Sequence, residues 1–242
     1  SRRIWQMLLP FLLFFLTRNV AMNAGAMLLG AIGNNISGGE FLFIRDAQGV
    51  PESLTGNGAV LLSAFAYAVG ALSILKIARQ MIAKTAEDMK LLHIKAEPGK
   101  SYAFLALAAV GLALGVNLLF FRIGMIANSE SYQEVAQSQY AAALPIGLIC
   151  FGIITPIAEE LLFRGIIYSC LRRYMKLFSA MLISAAFFAV YHGNSVQGIY
   201  AVVLGLLMAY AYEYFGDFKM SVAVHVLANV LAYVLSFSNL PP

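Results

Sequence analysis

Residues 144–174 read LPIGLICFGIITPIAEELLFRGIIYSCLRRY. Apolar side chains fill nearly every position, so no polar face remains for a soluble helix to show to water. A helix that is apolar all round is either buried or lies in a membrane. The run is interrupted by Glu159, Glu160 and Arg164, and it ends on the basic pair Arg172 and Arg173. Pro156 cannot donate a backbone hydrogen bond and suits the first turn of a helix. The stretch therefore reads as one span over 141–156, a break or kink at Thr155–Pro156, and a fresh helix over 158–174. A break at membrane depth is tolerated only where protein or a water-filled cavity meets the freed backbone groups.

The rest of the chain agrees with a membrane setting. Of its 242 residues, 61% are hydrophobic and 12% charged, against about 25% charged in a soluble domain. A soluble fold of this length could not hide so much apolar surface. Further spans are expected over 4–32 (interrupted by Arg18 and Asn19), 59–77, 102–121, 178–192, 197–215 and 218–237. The fold class is an all-α polytopic membrane bundle of seven to eight helices, a single integral-membrane domain over 1–242. A polar, Gly-rich loop is expected over 34–58, a charged segment over 79–100 and a short polar loop over 122–139. Residues 85–92 could form an amphipathic helix at the interface, with His93 solvated beside it. Gly111 and Gly115 form a GxxxG pair, read as close helix packing.

The N-terminal apolar run continues past residue 20 and does not read as a cleaved signal peptide. Cys150 and Cys170 lie in apolar helical stretches and read as small packing residues. The net charge of +4 is spread over loops and helix ends, so it is a topology signal and no nucleic-acid partner is expected. Arg2 and Arg3, then Lys76, Arg79, Lys84, Lys90, Lys95 and Lys100, then Arg172, Arg173 and Lys176 fall on one side when the spans are counted. The intervening loops carry Glu40, Asp46, Glu52, Glu130 and Glu134. The basic side should be cytoplasmic.

Ionisable residues inside spans are expensive and tend to be functional. Here they collect in the last third of the chain, within 156–230. Glu160 and Arg164 are four apart, so they share a helix face and can pair. Glu159 is turned about 100° away and is left free for chemistry. His225 and Asn229 also share a face, and Phe188 sits one turn beneath His192. Helix rise places Glu159 and His192 at about the same depth, with His225 within reach. Any one of these features alone has a bland reading: a surface ion pair at a helix end, a packed histidine. Two carboxylates, an arginine, two histidines and an asparagine at membrane depth read together as a polar intramembrane cavity.

In this order the motifs resemble the CAAX prenyl endopeptidase and bacteriocin-processing (CPBP, or Abi) family of intramembrane proteases. The pattern is EExxxR at Glu159–Arg164, FxxxH at Phe188–His192 and HxxxN at His225–Asn229, within a match over residues 140–237. Ser221 departs from it, standing where many bacterial members have proline; Gly193–Asn194 fits the turn that often follows the first histidine. The resemblance implies a glutamate-dependent peptidase. Glu159 would activate a water, His192 would help hold it, and His225 and Asn229 would stabilise the oxyanion. Glu160 and Arg164 would brace the site.

Peptide hydrolysis needs such a base and such donors, and a carboxylate out of water is a stronger base. Glu159, His192 and His225 also have the composition of a catalytic zinc site, but no HExxH motif forces that reading and the metal-independent one is preferred. The expected substrate is a membrane-embedded or lipidated peptide or protein, met within the lipid bilayer. The compact chain suits a prokaryotic plasma membrane. A proton-coupled transporter would also use intramembrane Glu, His and Arg, but carriers often show two broken helices in matching halves and only one proline break stands out here. A catalytically silent immunity or scaffold protein would not need the full set of reacting groups.

Overall fold

The computed structural model describes residues 2–33, 35, 39–89 and 98–237. Asn34, Lys90, Leu92, His93 and Lys95 lie outside the described residues. Eight helices make up the described chain: α1 (Arg2–Gly33), α2 (Gly56–Met89), α3 (Pro98–Arg122), α4 (Glu130–Gln139), α5 (Leu144–Arg172), α6 (Leu177–Tyr191), α7 (Ser195–Phe215) and α8 (Phe218–Ser236). Six of them are long and apolar enough to cross a membrane, and α6 is a shorter apolar helix of the same bundle. The chain is therefore an all-α polytopic membrane protein, with seven apolar helices among the described residues and α4 as a short polar one.

Helix α5 is the axis of the bundle. In its most apolar window 56% of residues are buried against neighbours, compared with 17% in α3 and 11% in α1. It packs against α1, α2, α6 and α8, while α7 closes on α6 and α8. Helices α1 and α3 lie at the periphery, where an apolar exterior suits lipid.

Several expectations need correction. Arg18 and Asn19 do not interrupt the first span, which is one continuous helix. The helix of the second span does not end near 77 but runs on to Met89, with the apolar span over Gly56–Thr85. Residues 79–89 contain no Gly or Pro, and Lys, Arg, Gln, Glu and Met are good helix formers, so Thr85–Met89 continues α2 instead of forming a separate surface helix. The loop after α1 holds an antiparallel hairpin of β1 (Phe43–Arg45) and β2 (Pro51–Leu54), turned where Asp46 accepts from the backbone of Gln48 and Val50. The loop before α5 holds α4, whose N-cap Ser129 accepts from Tyr132 N. Both rest on local side-chain capping. A Cβ added at Gly111 or Gly115 would meet no atom within 4 Å, so among the described residues this pair packs closely against no other helix. The buried side of α3 is formed instead by Ala109, Ala113 and Phe120. Cys150 and Cys170 are free and buried.

The largest correction concerns Pro156. Helix α5 does not break there; it widens. Residues Cys150–Ile154 and Leu161–Tyr168 are π-wound, with hydrogen bonds running five residues back instead of four. Thr155 N–H and its hydroxyl both donate to Cys150 O, the latter at 3.1 Å. Ser169 N–H and hydroxyl donate in the same way to Arg164 O, the latter at 2.9 Å. In a five-residue register the carbonyl opposite Pro156 is that of Phe151, and proline has no hydrogen to give it. The Asn229 side-chain amide supplies one instead, at 3.2 Å. The proline is thus accommodated by extra winding and by a donor from α8.

Candidate active site

The widened α5 presents its two glutamates to different neighbours. Glu160 is fully buried and accepts from Arg164 Nη1 at 2.7 Å. The same carboxylate oxygen lies 3.0 Å from His225 Nδ1. Arg164, also fully buried, donates its second terminal nitrogen to Gly205 O at 3.1 Å, and its guanidinium stands 4.6 Å over the Phe188 ring. An arginine stacked on a ring and bonded through both terminal nitrogens is fixed in place. Glu159 lies one residue away on the helix, takes no part in the Arg164 pair, and reaches to within 3.6 Å of His225 Nε2, which is beyond hydrogen-bonding distance.

His192 follows the last residue of α6. Its Nδ1 is 2.8 Å from Phe188 O, and a carbonyl only accepts, so Nδ1 carries the hydrogen. The edge of the ring meets Phe188, with centroids 4.6 Å apart. The chain then reverses through Gly193 at φ +73°, a conformation glycine adopts without strain. Asn194 caps α7 by accepting from Gln197 N at 2.9 Å. The Gly193–Asn194 turn thereby sets the position of His192. On α8, the Nδ1 of His225 carries the hydrogen directed to Glu160, because a carboxylate also only accepts. Ser221, one turn earlier and fully buried, bonds back to Phe218 O at 2.9 Å.

Glu159, His192, His225 and Asn229 all line one cavity of about 570 Å³. Glu160 and Arg164 lie behind its wall. The structure thus gathers all six residues selected from the sequence, four facing the cavity and two supporting them. With both histidines tied through Nδ1, their Nε2 atoms are left as lone-pair nitrogens in the neutral form.

The cavity also contains groups that the motifs did not point to. Arg18 of α1 lines it, with its guanidinium 4.3 Å over the ring of Tyr67. The hydroxyls of Tyr67, on α2, and Tyr191, on α6, are 2.6 Å apart. Glu159 lines the same cavity as both. The intramembrane position of Arg18 was a visible signal for it. For the two tyrosines there was none, because a tyrosine in an apolar helix usually reads as packing.

The ion-binding potential of the site is limited. Histidines anchored through Nδ1 are held as metal-ligating histidines often are. Among the described residues, however, no three His, Cys, Asp or Glu side chains come together as a ligand set.

Comparison with known proteins adds an independent line. Residues 141–231 match the family model described as type II CAAX prenyl endopeptidase, Rce1-like. A curated protein of Bacillus subtilis (strain 168), named "Putative membrane peptidase YdiL", is 27% identical over 133 residues, covering 54% of this chain and 52% of that protein. The chain spans about half the length of this relative. No solved structure matches the chain.

Proposed function

From the match of residues 141–231 to the model of the Rce1-like type II CAAX prenyl endopeptidases, we propose that this protein is an intramembrane endopeptidase in which Glu159 activates a water. The observation that carries this reading is the division of labour between the adjacent glutamates. Glu160 is buried and engaged through Oε1 by both Arg164 and His225, whereas Glu159 faces the cavity and is not paired with the arginine. A base must be available to water, and of the two only Glu159 is.

The hydrolysis follows from the groups in place. A water bound between the Glu159 carboxylate and the Nε2 of His192 gives one proton to Glu159. Its oxygen forms a bond to the carbonyl carbon of the peptide, and the carbonyl π pair moves onto the carbonyl oxygen. When that pair returns, the carbon–nitrogen bond breaks and the amide nitrogen takes the proton from Glu159. Asn229 gives one amide hydrogen to Phe151 O and keeps a second for the developing oxyanion. His225 contributes as an imidazolium or as an acceptor, since its Nδ1 hydrogen is directed to Glu160. The substrate is a membrane-associated or lipidated peptide, which suits a cavity enclosed by apolar helices.

The test is cleavage of membrane-associated peptides by purified wild type, Glu159→Ala and His192→Ala in detergent or vesicles. Both variants are expected to fold and to lose cleavage. Normal turnover by Glu159→Ala would overturn the assignment of the base. The reading uses no metal. Activity is expected to survive a strong chelator, and a stoichiometric zinc whose removal abolishes cleavage would overturn that part.

A further inference from the structure

A tetrahedral intermediate is stabilised by hydrogens aimed at its oxygen, and most of those on the motif residues are already committed. His192 Nδ1–H goes to Phe188 O, His225 Nδ1–H to Glu160, and one Asn229 hydrogen to Phe151 O. In neutral histidines the remaining ring nitrogens accept and cannot donate. Arg164 is fully buried behind Glu160 and does not line the cavity.

Tyr67 and Tyr191 bring two hydroxyls to that cavity, 2.6 Å apart. One hydrogen is spent between them, and the second O–H lies on the side of the Glu159 carboxylate, from which it can turn to a substrate carbonyl. Arg18 stands over the Tyr67 ring at 4.3 Å and makes no ion pair among the described residues. An arginine inside a membrane span is costly unless it acts on something. A cation over the ring and a hydroxyl donating in a chain both strengthen the terminal O–H as a donor.

We propose that the Tyr67–Tyr191 hydroxyl pair is an oxyanion donor of this site, with Arg18 as the positioning residue behind Tyr67. This rests on the peptidase reading. The free O–H of the pair donates to the carbonyl oxygen as the π pair moves onto it, and the hydrogen bond relaxes when the carbon–nitrogen bond breaks. The tyrosines keep their protons throughout; every proton transferred passes through Glu159.

The experiment compares Tyr67→Phe, Tyr191→Phe and the double variant with wild type and Glu159→Ala, on one membrane-associated peptide that wild type cleaves. The tyrosine carrying the free O–H should lose about 100-fold in kcat on removal, with KM little changed. The other should lose less, and the double variant should be no worse than the weaker single one, because the two act as a unit. Arg18→Gln should lower kcat and Arg18→Lys restore part of it. Failure of wild type to cleave any such peptide, or an active Glu159→Ala, would sink the peptidase reading itself. With those controls in place, near-wild-type kcat in both Phe variants, a loss confined to KM, or additive losses in the double variant would overturn the donor role. If a Phe variant fails to fold, 3-fluorotyrosine at that position keeps the shape and makes the hydroxyl more acidic. The alkaline limb of the kcat profile should then move to lower pH, and an unmoved limb would overturn the proposal.

Discussion

Arg164 is fully buried and held from three directions: Glu160 at 2.7 Å, Gly205 O at 3.1 Å and the Phe188 ring at 4.6 Å. Removing one member of a buried pair strands the other as an uncompensated charge, typically at a cost of about 3–5 kcal/mol. Arg164→Ala and Glu160→Gln are therefore expected to lower the melting temperature in detergent as well as the activity. An unshifted melt would show that the pair does not brace the bundle. Gly205 extends the same argument. A Cβ there would stand 2.9 Å from Arg164 Nη2 and 3.1 Å from the Ala185 Cβ, so Gly205→Ala should destabilise in the same assay, although it removes no polar group. The pairing of Glu160 with Arg164 was legible because four-residue spacing on a helix places side chains together. The role of Gly205 was not, because only the packing of α7 on α5 brings that backbone carbonyl to the guanidinium.

At the scale of the element, α5 shows what a sequence pattern leaves open. Pro156 marks an irregularity, but the residue types do not say whether the chain breaks or winds wider, since both leave a proline without its donor. The structure chooses the π-wound form, and Asn229 covers the orphaned Phe151 carbonyl from 78 positions away. An unsatisfied buried carbonyl costs about 1–3 kcal/mol. Asn229→Ala should thus destabilise the fold by about that amount, apart from any effect on turnover. Pro156→Ala restores a backbone N–H at the same place. In that background Asn229→Ala should cost less, with a coupling of about 1 kcal/mol in a double-mutant cycle. Strict additivity in the melts would mean that the two residues do not serve one carbonyl. The cycle also separates the structural use of Asn229 from its proposed catalytic one, because kcat should fall with Asn229→Ala in both backgrounds.

At the scale of the molecule, seven apolar segments and the location of the polar cluster could be read from hydropathy and spacing. The hairpin, α4 and the extended end of α2 could not, because short polar elements carry no apolar period and are set by caps and by the packing around them. The two ends of the bundle are distinct. At one end Tyr174 donates to Gln6 at 3.4 Å and Arg173 approaches Met81, which brings the start of α1, the far part of α2 and the end of α5 together. At the other, Ala143 N–H donates to the Asn57 side chain at 2.8 Å, so the starts of α2 and α5 meet. Arg79, Lys84, Arg173 and Lys176 belong to the first end, as does Arg172, whose charge is shared with Glu213 at 2.8 Å. Glu130 and Glu134 belong to the second. An excess of Lys and Arg in short loops marks the cytoplasmic side, so the Arg173 end should face the cytoplasm and α4 the opposite compartment. In a background with Cys150 and Cys170 replaced by alanine, a membrane-impermeant maleimide applied to intact cells should label Ser131→Cys and leave Lys84→Cys and Lys176→Cys unlabelled until the membrane is opened. The reverse pattern would invert the orientation, and with it the side from which a substrate reaches Glu159.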